Sequence, residues 1–182
     1  MRKVELSGYQ NPLSPGASRF KQVCWYFVNV IFFINPLNPF IFPKLFWLRW
    51  FGAKVGRGVV IKPSVNIKYP WKLTIGDSVW IGEKVWIDNL AAVALEDNVC
   101  LSQGAILLCG NHNYKSVHFD LRAEPIHLEE GVWIGAGAVV TGGVTCRSHS
   151  VLTISSVATR DLEAYGIYQG NPAVKIRERV IQ

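Results

Sequence analysis

An apolar residue recurs every six positions through most of this 182-residue chain. Ile75, Ile81 and Ile87 form one run, Leu95, Leu101 and Leu107 the next. Leu128, Ile134 and Val140 follow, then Cys146, Leu152 and Ala158, and upstream Val55, Ile61 and Ile67 keep the same step. A second small or apolar residue falls four places later, as at Val79, Val99, Val132 and Val144. A step of six fits neither the helical period of about 3.6 nor the strand period of about 2. It fits a short strand and a tight corner, repeated three times per coil, with the lead residue pointing into a prism. Gly or a small residue often follows the lead, as in Ile75-Gly76, Ile81-Gly82 and Ile134-Gly135, and Gly or Asp/Asn takes corner backbone angles at low cost. Each coil buries its apolar face only against its neighbour. The pattern predicts a β-solenoid over 55–161. A sandwich of short strands would need turns every 8–12 residues or so, and the chain lacks them.

The period breaks in informative places. Two steps stretch from six to eight, Ile67 to Ile75 and Ile87 to Leu95, predicting enlarged corners. After Leu107 the step does not resume until Ile126 or Leu128, so 108–125 leaves the solenoid as a loop. Long excursions from a repeat carry function. Residues 1–54 are aromatic-rich and read as a helical or irregular cap on the solenoid's open end; 162–182 read as a charged tail. Aromatics over 20–51, interspersed with Lys21, Lys44 and Arg49, also suit an interfacial segment resting on a membrane. The apolar run Val23 to Ile34 is shorter than the roughly 20 residues of a spanning helix, and Pro36, Pro39 and Pro43 interrupt its continuation. No apolar core of a secretory signal follows Met1-Arg2-Lys3, so a cytoplasmic protein is expected.

Composition narrows the chemistry. Hydrophobic residues make up 49% and charged residues 18%, enough for a core and too little charge for a disordered chain. A net charge of +6 suits an anionic partner such as acidic lipid headgroups or a phosphorylated cofactor. Without an RNA-recognition motif, zinc-finger spacing or basic helix, nucleic acid is not expected. Cys24, Cys100, Cys109 and Cys146 form no C-x-x-C pair and are expected as free, buried thiols. No metal cluster, phosphate-binding loop or Ser/His/Asp signature is present, and Gly135-Ala136-Gly137 is a corner with no helix after it.

The stretches I-G-D-S-V-W-I-G-E-K-V-W-I at 75–87, V-W-I-G-A-G-A-V-V at 132–140 and Q-G-N-P-A at 169–173 resemble the hexapeptide-repeat acyltransferases. F-G-A-K-V-G at 51–56, Y-P-W-K-L-T-I-G-D at 69–77 and N-P-A-V-K-I-R-E-R-V at 171–180 are similar to the acetyltransferases of colanic acid and related exopolysaccharide synthesis. The resemblance implies an all-β, left-handed parallel β-helix, a homotrimer with active sites at its seams, and acetyl transfer from acetyl-CoA to a sugar or lipid-linked sugar. Such transfer needs a base for the hydroxyl proton and a donor for the tetrahedral oxyanion. An imidazole with a pKa near about 6.5 suits the first role. Of four histidines, His112 lies at the mouth of the excursion, in Gly110-Asn111-His112, where the family carries its catalytic histidine. Asn111, Asp88, Asn89 and His118 are the candidates for the acceptor; Asp88 stands where related sugar acetyltransferases carry Asn. His127 and His149 are expected on the surface.

By the same carry-over Ala136, Ile154, Thr159 and Arg160 lie along CoA, with Lys175 and Arg177 near its phosphates. The last coil departs from the family, with Leu152-Thr153-Ile154-Ser155-Ser156 for I-G-A-G-S, and the coil before it has Cys146-Arg147-Ser148 where I-G-D or I-G-E is common. That departure keeps a non-catalytic scaffold open beside the enzyme. An amino-sugar N-acyltransferase or serine-type O-acetyltransferase is a further alternative.

Overall fold

The computed structural model describes residues 3–11 and 13–182. Its centre is a three-faced, left-handed parallel β-helix of about six turns. The first face stacks Lys54–Val55, Leu73–Ile75, Val93–Leu95, Ile126–Leu128 and Thr145–Cys146. The second stacks Val60–Ile61, Trp80–Ile81, Cys100–Leu101, Trp133–Ile134 and Val151–Leu152. The third stacks Asn66–Ile67, Trp86–Asp88, Ile106–Leu108, Val139–Thr141 and Val157–Ala158. Every neighbouring pair within these stacks is parallel.

The six-residue leads become three in-register columns. Val55, Ile75, Leu95, Leu128 and Cys146 stack on the first face. Ile61, Ile81, Leu101, Ile134 and Leu152 stack on the second. Ile67, Ile87, Leu107, Val140 and Ala158 stack on the third. All but half-buried Val55 are buried. The core is thus a narrow apolar rod along the prism axis, fed by the lead of every strand and by the small or apolar residue four places later, with Leu73, Val93 and Ile126 adding a second inward side chain to strands of the first face.

The corners correct one detail of the sequence reading. Left-handed backbone also recurs every six residues, at Ser78 and Lys84, Asn98 and Gly104, then Gly131, Gly137, Gly143, His149 and Ser155. It falls three residues after the lead, not at the glycine directly behind it. Gly82 and Gly135 serve a different need: an added Cβ would lie 2.7 Å from Gln103 N and 2.6 Å from Ile154 N, respectively. Those glycines let successive coils close up.

The N-terminal segment seats on the first coil. Helix α1 (Arg19–Val28), with Ser18 as its N-cap, runs on into a wider turn at Asn29–Ile34; α2 (Ile41–Trp50) follows. A first coil leaves carbonyl oxygens unpaired on every face, a liability shared by all sheet edges. Each face receives a side-chain donor for its carbonyls. Arg49 Nη2 donates to Val55 O and Gly56 O at 3.1 and 2.8 Å, Lys44 Nζ to Ile61 O at 3.2 Å, and Trp25 Nε1 to Ile67 O at 2.8 Å. Trp25, Phe33, Leu48 and Phe51 fill the space beneath.

The tail holds more structure than its charge suggested. Gly166–Gly170 pairs parallel with Val151–Leu152, and Ala173–Glu178 folds back antiparallel upon it. Arg179 then donates to Gly131 O and His149 O. Among the cysteines, Cys109 and Cys146 are buried, whereas Cys24 and Cys100 are half-buried, and all are free thiols. No helix among the described residues is long and apolar enough to cross a membrane.

Candidate active site

All enlargements of the repeat fall on one edge, between the third face and the first. The eight-residue steps become the corners at 68–72, with a 3₁₀ turn at Pro70–Lys72, and at 89–92. The excursion leaves the same edge one coil later. Gly110–His112 pairs antiparallel with Leu121–Ala123, His112 opposite Leu121. The tip is closed by Asn113 N donating to Asp120 O at 2.8 Å and Ser116 N to Asn113 O at 2.9 Å. Gly110 lies close over the corner below: a Cβ there would lie 2.8 Å from Leu90 Cδ1 and 3.3 Å from Asp88 Oδ2, so the Leu90 side chain would have to give way.

The hairpin holds His112 in one orientation. Its Nδ1 lies 2.8 Å from Phe119 O, and its ring stacks on the Phe119 ring at 4.3 Å and 10°. A carbonyl only accepts, so Nδ1 carries the proton and the neutral ring keeps its lone pair on Nε2. His112 stands between two clefts. One, of about 590 Å³, is lined by His112, Asn111, Tyr114, Arg122, Thr141 and Thr159 among others. The other, of about 460 Å³, is lined by His112, Asp88, Lys68, Leu90, Tyr9 and Asn11 among others. An imidazole reaching two clefts can relay a proton between a group in each. Asp88 is buried, with Lys68 Nζ 2.9 Å from Oδ1. Cys109, at the root of the hairpin, is pushed up to about 11, chiefly by burial; it stays a thiol at neutral pH and does not compete as a nucleophile.

The anticipated site residues divide sharply. His112, Asn111 and Thr159 share the first cleft, and Asp88 joins His112 in the second. Asn89 lies beside Asp88 but is fully buried, its amide accepting from Tyr69 N at 2.9 Å and donating to Tyr69 O at 2.6 Å; it braces the corner. His118 turns from both clefts to Glu5 O, 3.3 Å from its Nδ1. Ala136 and Ile154 stack on a different edge, between the second and third faces, where Ser155 N donates to Ala136 O. Arg160 is exposed beside Thr159, and Arg177 is exposed on the last strand. Lys175 is held by Glu163 and Glu178, each at 2.7 Å. His127 meets Glu96 at 2.7 Å on the first face, and the His149 ring packs on Tyr165. No group of His, Cys, Asp and Glu among the described residues can hold a metal ion.

Sequence reasoning missed Tyr9, Asn11, Lys68 and Arg122. The stretched step did mark the corner that carries Lys68. Tyr9 and Asn11 arrive on a segment without periodicity, pinned by Glu5 N donating to Val117 O at 2.8 Å and by Trp71 Nε1 donating to Pro15 O at 2.6 Å.

No family model matches the chain. WcaF of Escherichia coli (strain K12), named as an acetyltransferase of colanic acid biosynthesis, is 38% identical over 177 residues, spanning 97% of each chain. Galactoside O-acetyltransferase of the same organism is 30% identical over 132 residues, 69% of this chain and 64% of that one. A hexapeptide-repeat-containing acetyltransferase of Vibrio cholerae matches in fold at 21% identity with a TM-score of 0.80, covering 90% of this chain and 94% of that chain. It has also been solved complexed with acetyl coenzyme A. With this repeat, this hairpin and a relative that spans nearly its whole length, the chain belongs to the hexapeptide-repeat acetyltransferases.

Proposed function

We propose that the protein moves the acetyl group of acetyl-CoA to a sugar hydroxyl in exopolysaccharide biosynthesis, with His112 as general base. The observation that carries this reading is the Nδ1 contact with Phe119 O, which leaves Nε2 as the basic atom between two clefts. Nε2 takes the hydroxyl proton as the sugar oxygen attacks the thioester carbonyl. The tetrahedral intermediate then collapses, the carbon–sulfur bond breaks, and the proton passes from the imidazolium to the CoA sulfur. Asp88 offers carboxylate oxygen to the acceptor's other hydroxyls, and Thr159 lines the cleft opposite, toward the donor. Arg160 and Arg177 suit the phosphates of CoA better than Lys175, which two carboxylates already hold. The acetyl-CoA complex of the Vibrio enzyme and the acceptor named for the galactoside enzyme support the donor and the acceptor class; the name of WcaF supports the pathway.

The working form is a homotrimer in the cytoplasm, its acceptor a free or lipid-carried sugar. The division of candidate CoA residues between two edges supports a seam: one copy presents His112 and Thr159, the next Ala136 and Ile154. The test is thiol release from acetyl-CoA with a panel of glycosides. His112→Ala should lower turnover about 10²–10⁴-fold without changing the oligomer's mass. Near-normal turnover in that variant removes His112 from the mechanism.

A further inference from the structure

The helical cap is apolar on both sides. Toward the first coil α1 and the turn after it bury Trp25, Asn29 and Phe33. Away from it, Phe20, Val23, Phe27, Ile31 and Ile34 follow at steps of three and four, Phe20 79% and Phe27 58% exposed. Helix α2 repeats the arrangement, with Lys44 and Leu48 inward and Phe42, Phe46 and Trp50 outward at 82, 47 and 71% exposure. Leu37 and Phe40, between the two, are 86 and 69% exposed. A helix that meets water carries a polar outer stripe; one that is apolar all round is covered by something.

Charge says by what. Between residues 6 and 76 the chain carries nine Lys/Arg and not one Asp or Glu. The remainder carries ten Lys/Arg against thirteen Asp/Glu. The basic character of the molecule is therefore concentrated in the cap and the first coil, with Arg19, Arg49 and Lys54 exposed around the aromatic face. Exposed aromatics among unopposed cations match a bilayer interface, where rings lie at headgroup depth and cations meet anionic lipid. Both helices have only ten residues, so they lie in the interface rather than cross it.

We propose that the outer face of the cap docks the protein on an anionic lipid surface, with Phe42, Phe46 and Trp50 inserted and Arg19, Arg49 and Lys54 at the headgroups. The docking is independent of the acetyl-transfer chemistry. The test is co-sedimentation of the full chain with phosphatidylcholine vesicles, with and without phosphatidylglycerol, followed by Trp fluorescence quenching with brominated lipid. Pelleting only with the anionic vesicles, weakened by salt, and reduced at least about tenfold by the triple variant Phe42→Ser/Phe46→Ser/Trp50→Ser supports docking. Phe20→Ser/Phe27→Ser provides a second variant if the first fails to fold. Failure of the parent protein to pelletwith anionic vesicles overturns the proposal, as does unchanged pelleting of both variants. A fall in oligomer mass in the variants also overturns it, by assigning the face to contact between copies. Transfer to a soluble glycoside should persist in the variants; its absence from the parent protein would count against the proposed reaction and leave the docking result standing.

Discussion

Phe119 holds left-handed backbone at φ 54°, a conformation that costs a residue with a Cβ about 1–2 kcal/mol. The turn aims its carbonyl at His112 Nδ1 while its ring covers the imidazole face. Removing the ring and keeping the carbonyl separates the two contributions. Phe119→Ala should lower kcat about tenfold through looser placement of the proposed base, His112, with KM for acetyl-CoA nearly unchanged in steady-state kinetics. A matching rise in KM would mean that the ring serves the donor instead. A second residue shows the opposite balance. Ser150 Oγ is buried without a hydrogen-bond partner among the described residues, at a place in the repeat where Val132 stands one coil earlier. Ser150→Ala removes an unsatisfied hydroxyl and should raise unfolding free energy by about 1 kcal/mol, read from the urea midpoint.

At the scale of elements, the cap is both a lid on the apolar rod and a set of donors for its open edge. Lys44 is the demanding member, since burial pushes its pKa below the ordinary 10.5. The unfolded chain therefore binds that proton more tightly than the folded one. Between the lowered folded value and 10.5, stability must rise as pH rises, because the cost of burying the charge disappears. Below that window the cost is fully present. Lys44→Met lacks the titration, so the stability of the parent protein relative to this variant should increase from neutral pH toward pH 10.5, as measured by denaturant melts at several pH values. A flat difference would mean that Lys44 is not desolvated in the folded state.

At the scale of the molecule, the candidate catalytic edge and the candidate CoA edge of one chain are separate corners of the prism. If neighbouring copies join them, Ile154→Trp should obstruct the donor groove and raise KM for acetyl-CoA at least about tenfold. At acetyl-CoA well below that raised KM, where each variant alone is slow, co-expressing Ile154→Trp with His112→Ala should restore part of the lost turnover. A mixed trimer contains one seam in which both edges are intact. Activity no better than the sum of the separate variants would place the whole site within one chain.

The solenoid itself could be read from the chain because its rule is local. An inward lead at the same place on every strand imposes a step of six on the sequence, and every coil repeats the demand. The excursion and the two stretched corners were legible for the same reason, as departures from a regular count, and His112 became the candidate from its place in the excursion together with the family resemblance. Other features depend on stacking. Corners at 68–72, 89–92 and 109–125 lie far apart in sequence and become one wall only because successive coils superpose on the same edge. Asn89 and Asp88 are adjacent in sequence, yet alternation at the strand end turns one into the corner and the other toward the cleft. Tyr9 reaches the imidazole, with a ring separation of 6.2 Å, through a segment that carries no periodic pattern. Local repetition determined the prism; contacts between residues distant in the chain, which no period encodes, decided what surrounds His112.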